Sequence, residues 1–248
     1  MVIDKPANLP VHPAGRYLFN TLLMSLRLER SDWIKENQGF YLVHRLDRET
    51  SGILLVAKRK LIARQLVQLF FRRQAIKKYY AVVHGHPQTN AFVVDADLGR
   101  DKNSKIRLKM AAFAKGQGER DALTHFCVVH RGSKNSLIDC DLKTGRQHQI
   151  RVHLSYMGYP IVGDKLYGKS AKDELYLKYL ENRLLPEKST HEMSASIDSS
   201  VKIMREVLPF EHHRQALHSR SLRFFHPGKK EWMEIESSLP KDLDGLLR

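Results

Sequence analysis

His44-Arg45-Leu46-Asp47-Arg48-Glu49-Thr50-Ser51-Gly52 runs straight into the apolar segment Ile53-Leu54-Leu55-Val56-Ala57. The second segment is short and aliphatic and follows a Thr-Ser-Gly turn, which predicts a buried strand entered from a polar loop. Loops at strand ends are a common place for chemistry. An Asp between two Arg residues also serves as a solvated ion pair or as the start of a turn, and this stretch alone leaves both readings of Asp47 open.

Upstream, Pro6, Pro10 and Pro13 make 5–13 an extended, rigid loop preceded by a short strand. Leu18, Leu22, Leu23 and Leu26 recur at helical spacing and predict an amphipathic helix over 18–28. Downstream, Ile62, Leu66, Leu69 and Phe70 predict a second helix with a basic outer face. Lys77-Lys78-Tyr79-Tyr80-Ala81-Val82-Val83-His84-Gly85 reads as a strand ending in a turn, and further strands are expected at 91–96, 124–130 and 136–142. Lys77 and Lys78 are read as phosphate contacts or solvated charges. The stretch 99–118 carries Arg100, Lys102, Lys105, Arg107, Lys109 and Lys115 with little apolar pattern, and reads as a mobile basic excursion, either solvated or in contact with RNA.

Thr144-Gly145-Arg146-Gln147-His148-Gln149-Ile150-Arg151-Val152-His153-Leu154 follows. Gly145 breaks the preceding strand, and Ile150, Leu154 and Met157 then recur at helical spacing. Between 168 and 213 the chain changes character: helices are predicted at 173–185 and 200–208, each closed by a proline, as a helical insertion with a structural or docking role. Pro227-Gly228 between two strand-like runs marks a closing hairpin. Strands dominate both halves and regular strand-helix-strand alternation is missing, so the fold class is α+β on a mixed, largely antiparallel sheet with flanking helices.

Composition narrows the function. The 248 residues hold 42 Lys and Arg against 27 Asp and Glu, a net charge of +15 spread along the chain. That excess favours a polyanionic partner, with nucleic acid first. Two cysteines, Cys127 and Cys140, give neither a disulfide framework nor a paired metal motif, and fit a reducing cytoplasm. No apolar run approaches the roughly 20 residues of a membrane helix, and the N-terminus shows no signal core. Among the 13 histidines no His-Glu-x-x-His motif or Cys/His cluster occurs, and phosphate-loop and Gly-x-Ser-x-Gly motifs are missing, so no metal or nucleotide cofactor is expected. What remains is a carboxylate, which can act as nucleophile or base without a cofactor when a guanidinium keeps it ionised.

Five blocks in order resemble the pseudouridine synthases of the branch typified by ribosomal large subunit pseudouridine synthase A. They are Lys5-Pro6 through His12-Pro13; His44 through Gly52; Lys77-x-Tyr79-x-Ala81 ending in Gly85; Thr144 through His153 with Pro160 and Gly163-Asp164; and Leu217-His218 before His226-Pro227. The resemblance implies a cofactor-free isomerisation of a uridine in ribosomal or transfer RNA, in which the base is cut from its sugar, rotated and rejoined through carbon. Asp47 matches the catalytic aspartate, which attacks the sugar or deprotonates it. Tyr79 matches the tyrosine against the base that helps remove the C5 proton, and Arg151 the arginine that pairs with the aspartate. Ile150 matches the apolar lining of the uracil pocket and Arg45 the arginine that enters the RNA where the uridine has flipped out. His44, Gly145, Arg146 and His148 complete the expected RNA-binding set, with the histidines read as holding the loops rather than carrying protons.

The first block begins almost at Met1, so the whole of 1–248 is expected to be one catalytic domain without an N-terminal accessory RNA-binding domain. A monomer without membrane or metal partners is expected. Asn8 stands where the family usually has Gly.

Overall fold

The computed structural model describes residues 1–13, 17–30, 39–182 and 212–248. Strand β3 (Ser51–Ala57) is buried along its whole length. Leu54 and Val56 enter the larger core, while Ile53, Leu55 and Ala57 enter a second one. Covered on both faces, the strand needs no polar alternation, which is why it reads as a continuous apolar run.

β3 pairs antiparallel with β1 (Val2–Lys5) and β2 (Tyr41–Leu42). Its contact with β10 (Leu217–His226) is parallel and covers two residue pairs, Ser51 with His218 and Gly52 with Ser219. β10 then continues against β11 (Glu231–Glu236), with β4 (Ile76–His84) on its other side. β9 (Asn135–Leu142), β8 (Leu123–Arg131) and β5 (Ala91–Asp95) complete a nine-stranded sheet whose order is β1-β3-β10-β4-β9-β8-β5. The β3–β10 pair is its one parallel ladder among the described residues, so the mixed, largely antiparallel sheet expected from the sequence is present. Gly52 makes that seam possible. Its φ is +104°, and a Cβ on it would lie 2.2 Å from the Ser219 carbonyl oxygen.

Five helices flank the sheet among the described residues: α1 (Leu22–Glu29), α2 (Lys60–Phe71), α3 (Gln149–Tyr156), α4 (Asp173–Asn182) and α5 (Lys241–Asp244). α2 lays Ala63 and Leu66 on the second core, as its spacing predicts. α1 starts later than predicted. Thr21 Oγ1 accepts from the Met24 amide and caps the helix there, leaving Leu18 outside it and 58% exposed.

The basic stretch 99–118 departs from expectation. Instead of a free excursion it folds back, with β6 (Asp97–Arg100) pairing to β7 (Met110–Phe113). Leu98 and Ile106 build a third core with Ala122, Val152, Leu166 and Tyr167. Asp173 at the start of α4 accepts from Ser104 Oγ, the Lys105 amide and Lys109 Nζ, and so fastens this stretch to the insertion. Its apolar residues are gathered at 106–114, where Ile106, Leu108 and Met110 alternate with Arg107 and Lys109 before the run Ala111 to Ala114, a short strand signal set among cations. α4 falls within the predicted helix 173–185; the second predicted helix, 200–208, lies outside the described residues.

Candidate active site

Asp47 ends the loop into β3, where its carbonyl accepts from the Thr50 amide at 3.2 Å. Leu46 before it is buried in the larger core while Arg45 is exposed, so the alternation of an extended segment turns Arg45 outward and leaves the Asp47 side chain 26% exposed. Carboxylate Oδ2 accepts from Arg151 Nη1 at 2.8 Å and from Gln215 Nε2 at 3.5 Å, with His148 Nε2 3.9 Å away.

Arg151 lies in the first turn of α3 and is buried. The rest of its guanidinium is forked on Asp164, Nε to Oδ2 at 2.6 Å and Nη2 to Oδ1 at 2.9 Å, over the ring of Tyr167. Asp164 also accepts from the Leu166 and Tyr167 amides, so the acceptor itself is fixed. The loop before α3 is shaped by Gln149, whose Oε1 accepts from Thr144 Oγ1 and the Arg146 amide while Nε2 donates to Thr124 and the Leu123 carbonyl. His148 takes a left-handed conformation, φ 56°, to enter the helix. Tyr167 Oη accepts from the Met110 amide and contacts His148 Nδ1 at 2.8 Å; a phenol donating there leaves the His148 proton on Nε2, facing Asp47.

Electrostatics favour an ionised carboxylate. Burial would raise the Asp47 pKa, but the neighbouring His148 and Arg151 and the hydrogen bonds of Arg151 and Gln215 hold it down at about 2. Burial and Arg151 depress His148 itself to about 4, so at neutral pH the imidazole is uncharged and Arg151 supplies the charge. Burial pushes the Tyr79 phenol up to about 12; a hydrogen bond with Ser219 opposes this and the charge of Asp47 adds to it.

Beneath the loop is a second ion cluster. Glu49 accepts from Arg48, Lys165, Tyr179 and the Gln215 amide, and Lys165 and Arg48 hold its carboxyl well below the usual range against the opposing effect of burial. Lys5 donates to the carbonyls of Pro6, Leu9 and Arg48, and burial lowers its ammonium to about 7. Arg214 is forked on Asp242 of α5 and reaches the Leu217 carbonyl. Strands, insertion and C-terminal helix therefore converge on the segment that carries Asp47.

The expected site residues divide into two groups. Asp47, Arg151 and His148 meet directly, Tyr79 is buried on β4 within electrostatic reach of Asp47, and Ile150 is buried beside Arg151. Arg146 is turned onto Asp121, and Gly145 lies over Lys77. His44 is turned inward: its Nε2 accepts from the Leu55 amide and its ring stacks on Phe70, so it holds β3, and burial and Lys77 lower it to about 3. His153, fully buried, bonds Thr124 and the Ala96 carbonyl. Sequence reasoning missed Asp164, Gln215, Glu49, Lys165 and Lys5 as parts of the site, although Lys5, Glu49 and Asp164 fall inside motif blocks. It also missed a discontinuous cluster, His212, His213 and Asp242, whose ligand atoms lie within 4.8 Å of one another. Arg214 holds both oxygens of that carboxylate, so a cation there would face a guanidinium.

The family model described as RNA pseudouridylate synthase matches residues 1–156, which include β1, the Asp47 loop, Tyr79 and Arg151. The chain belongs to this family. As a pseudouridine synthase it is an isomerase that acts on RNA. The uncharacterized RNA pseudouridine synthase YlyB of Bacillus subtilis is 34% identical over 249 residues, covering 100% of this chain and 68% of that protein. Ribosomal large subunit pseudouridine synthase D of Zymomonas mobilis is 34% identical over 100% of the chain and 69% of its own length. Among solved structures, human RNA pseudouridylate synthase domain containing 1 superposes with a TM-score of 0.67 at 26% identity, over 96% of this chain and 78% of that one. Human RNA pseudouridylate synthase domain containing 4 gives 0.65 at 27%, over 98% and 86%. No helix among the described residues is long and apolar enough to cross a membrane.

Proposed function

We propose that Asp47 carries the isomerisation at a uridine of ribosomal RNA, without a cofactor. The observation that supports this most is the carboxylate itself: ionised, partly exposed, and held by Arg151 through one oxygen only. Oδ1 has no hydrogen-bond partner among the described residues and is the atom available to the sugar. In this reading Asp47 attacks the sugar or deprotonates it, the C1′–N1 bond breaks, the base turns, a C1′–C5 bond forms, and the C5 proton leaves while N1 gains one. Tyr79 stands against the base. Because its phenol keeps its own proton at neutral pH, accepting the C5 proton requires that hydroxyl proton to leave first or at the same time.

Extruding a base costs a few kcal/mol, and the exposed Arg45 is suited to fill the vacated place in the stack. Ile150 lines the uracil pocket, and Arg146 and His148 border it. Ribosomal RNA is favoured over transfer RNA because relatives named for the large ribosomal subunit match along the entire chain. Tritium release from C5-labelled uridine in RNA tests the role of Asp47. Asp47→Asn is expected to abolish release while the protein stays folded, and normal release by that variant overturns the assignment. Free uracil as the product would instead mark a hydrolase. Mapping pseudouridines in ribosomal and transfer RNA from cells with and without the protein locates the target.

A further inference from the structure

Lys77 precedes Tyr79 by two residues on β4, so the two side chains leave the strand on one face about 7 Å apart. Its cross-strand partners are Leu142 on β9 and Leu222 on β10, and neither neighbour puts a carboxylate opposite it. The ammonium is pressed against the Thr144-Gly145-Arg146 loop: a Cβ on Gly145 would come within 2.7 Å of Lys77 Nζ. The lysine's end occupies the space that a side chain at 145 would fill.

The charges around this ammonium are cationic. Burial and then Arg146 lower its pKa, and Lys77 in turn helps depress His44. Arg146 has Asp121 as partner, whereas Lys77 has no hydrogen-bond or ion-pair partner among the described residues. A partly buried ammonium without a counter-charge is costly to the fold on its own. One that stands a nucleotide's reach from the base-facing tyrosine, beside an arginine, is suited to an anion that arrives with the substrate.

We infer that Lys77, under the 144–146 loop, is a subsite for one RNA phosphate adjoining the uridine held between Asp47 and Tyr79. The inference rests on the reading of this cleft as the uridine site. Phosphate contacts position the nucleic acid without reading its sequence, and each one neutralised contributes a fixed increment to the salt dependence of binding.

Binding of a large-subunit ribosomal RNA transcript, measured in the Asp47→Asn background from about 0.1 to about 1 M salt, tests the subsite apart from catalysis. No tritium release by the protein with Asp47 and Lys77 both intact would count against the isomerisation reading; an unchanged salt slope in Lys77→Met would count against the subsite. Lys77→Met is expected to reduce the log–log slope by about 0.7 to 0.9, which amounts to roughly five- to eightfold weaker binding at the low-salt end relative to the high-salt end. Lys77→Arg should keep the slope. Gly145→Ala displaces the flexible end of the lysine rather than backbone, so it should weaken binding at an unchanged melting temperature. Lys77→Met should melt no lower than the parent, because it removes an unpartnered ammonium. A folded Lys77→Met with an unchanged slope, or a Lys77→Met that fails to fold, would overturn the subsite in favour of a structural lysine.

Discussion

Arg151→Leu removes the cation that Asp47 and Asp164 share. Asp164 has no exposed side-chain surface; its Oδ1 keeps the Leu166 and Tyr167 amides, but Oδ2 loses the guanidinium at 2.6 Å. Breaking a buried ion pair from one side costs about 3–5 kcal/mol, because the stranded charge remains. Neutralising it with Asp164→Asn as well should recover about 1–3 kcal/mol, the coupling expected of residues in one network.

Asp47 adds a dependence on pH. Held at about 2 against an ordinary 3.8, it contributes stability that is fully present above pH 3.8 and lost as pH falls through 2, about 2 kcal/mol at 1.36 kcal/mol per unit. Without Arg151, burial acts with much less opposition and raises the carboxyl above its ordinary value, so ionised Asp47 then costs stability as pH rises through the new pKa. Urea unfolding of the original protein and the variant should therefore show a gap that narrows from about pH 7 to about pH 4. The acid limb of tritium release should move upward into the same window. A gap that stays constant with pH would refute the claim that Arg151 keeps Asp47 ionised.

Gly52→Ala forces a side chain into φ +104° and against the Ser219 carbonyl; thermal unfolding should show a loss of about 3 kcal/mol or more. With His148 at about 4 and Tyr79 at about 12, the rate of tritium release should be flat between about pH 6 and about pH 9. An inflection near the ordinary histidine pKa would assign His148 a proton-transfer role.

The parts of this protein legible in its sequence were those carried by short contiguous signals. β3, β4, α2 and the closing hairpin follow from local periodicity and turn residues. Asp47, Tyr79 and Arg151 stood out because their neighbours in sequence form motif blocks, even though local sequence left Asp47 open between a turn residue and a reactive one. The supporting groups were hidden for the opposite reason. Gln215 is 168 residues from Asp47 and Lys165 is 116 from Glu49, and nothing about either residue type announces a partner that far away. In 99–118 the short apolar signal at 106–114 is set among cations, and nothing local says that Ile106, Met110 and Ala112 meet Leu98, Ala122, Val152, Leu166 and Tyr167 in a core of their own. A motif position does not say which way a ring turns: His44 stood in the expected RNA-binding set, and its inward bond from the Leu55 amide agrees with the reading of the histidines as holding the loops.

The two-pair ladder between β3 and β10 has a consequence for tolerance. Asp47 lies on the β3 side of that seam, while Tyr79 sits on β4 and Arg151 on α3 beyond it. In the proposed reading, the gap that receives the nucleotide is thus gauged by a peptide-to-peptide contact at Gly52 and Ser219 rather than by the set of a surface loop. Spacing between carboxylate and phenol inherits the tight margin of a backbone hydrogen bond, and a single added methyl group at Gly52 would be felt across the whole width of the slot.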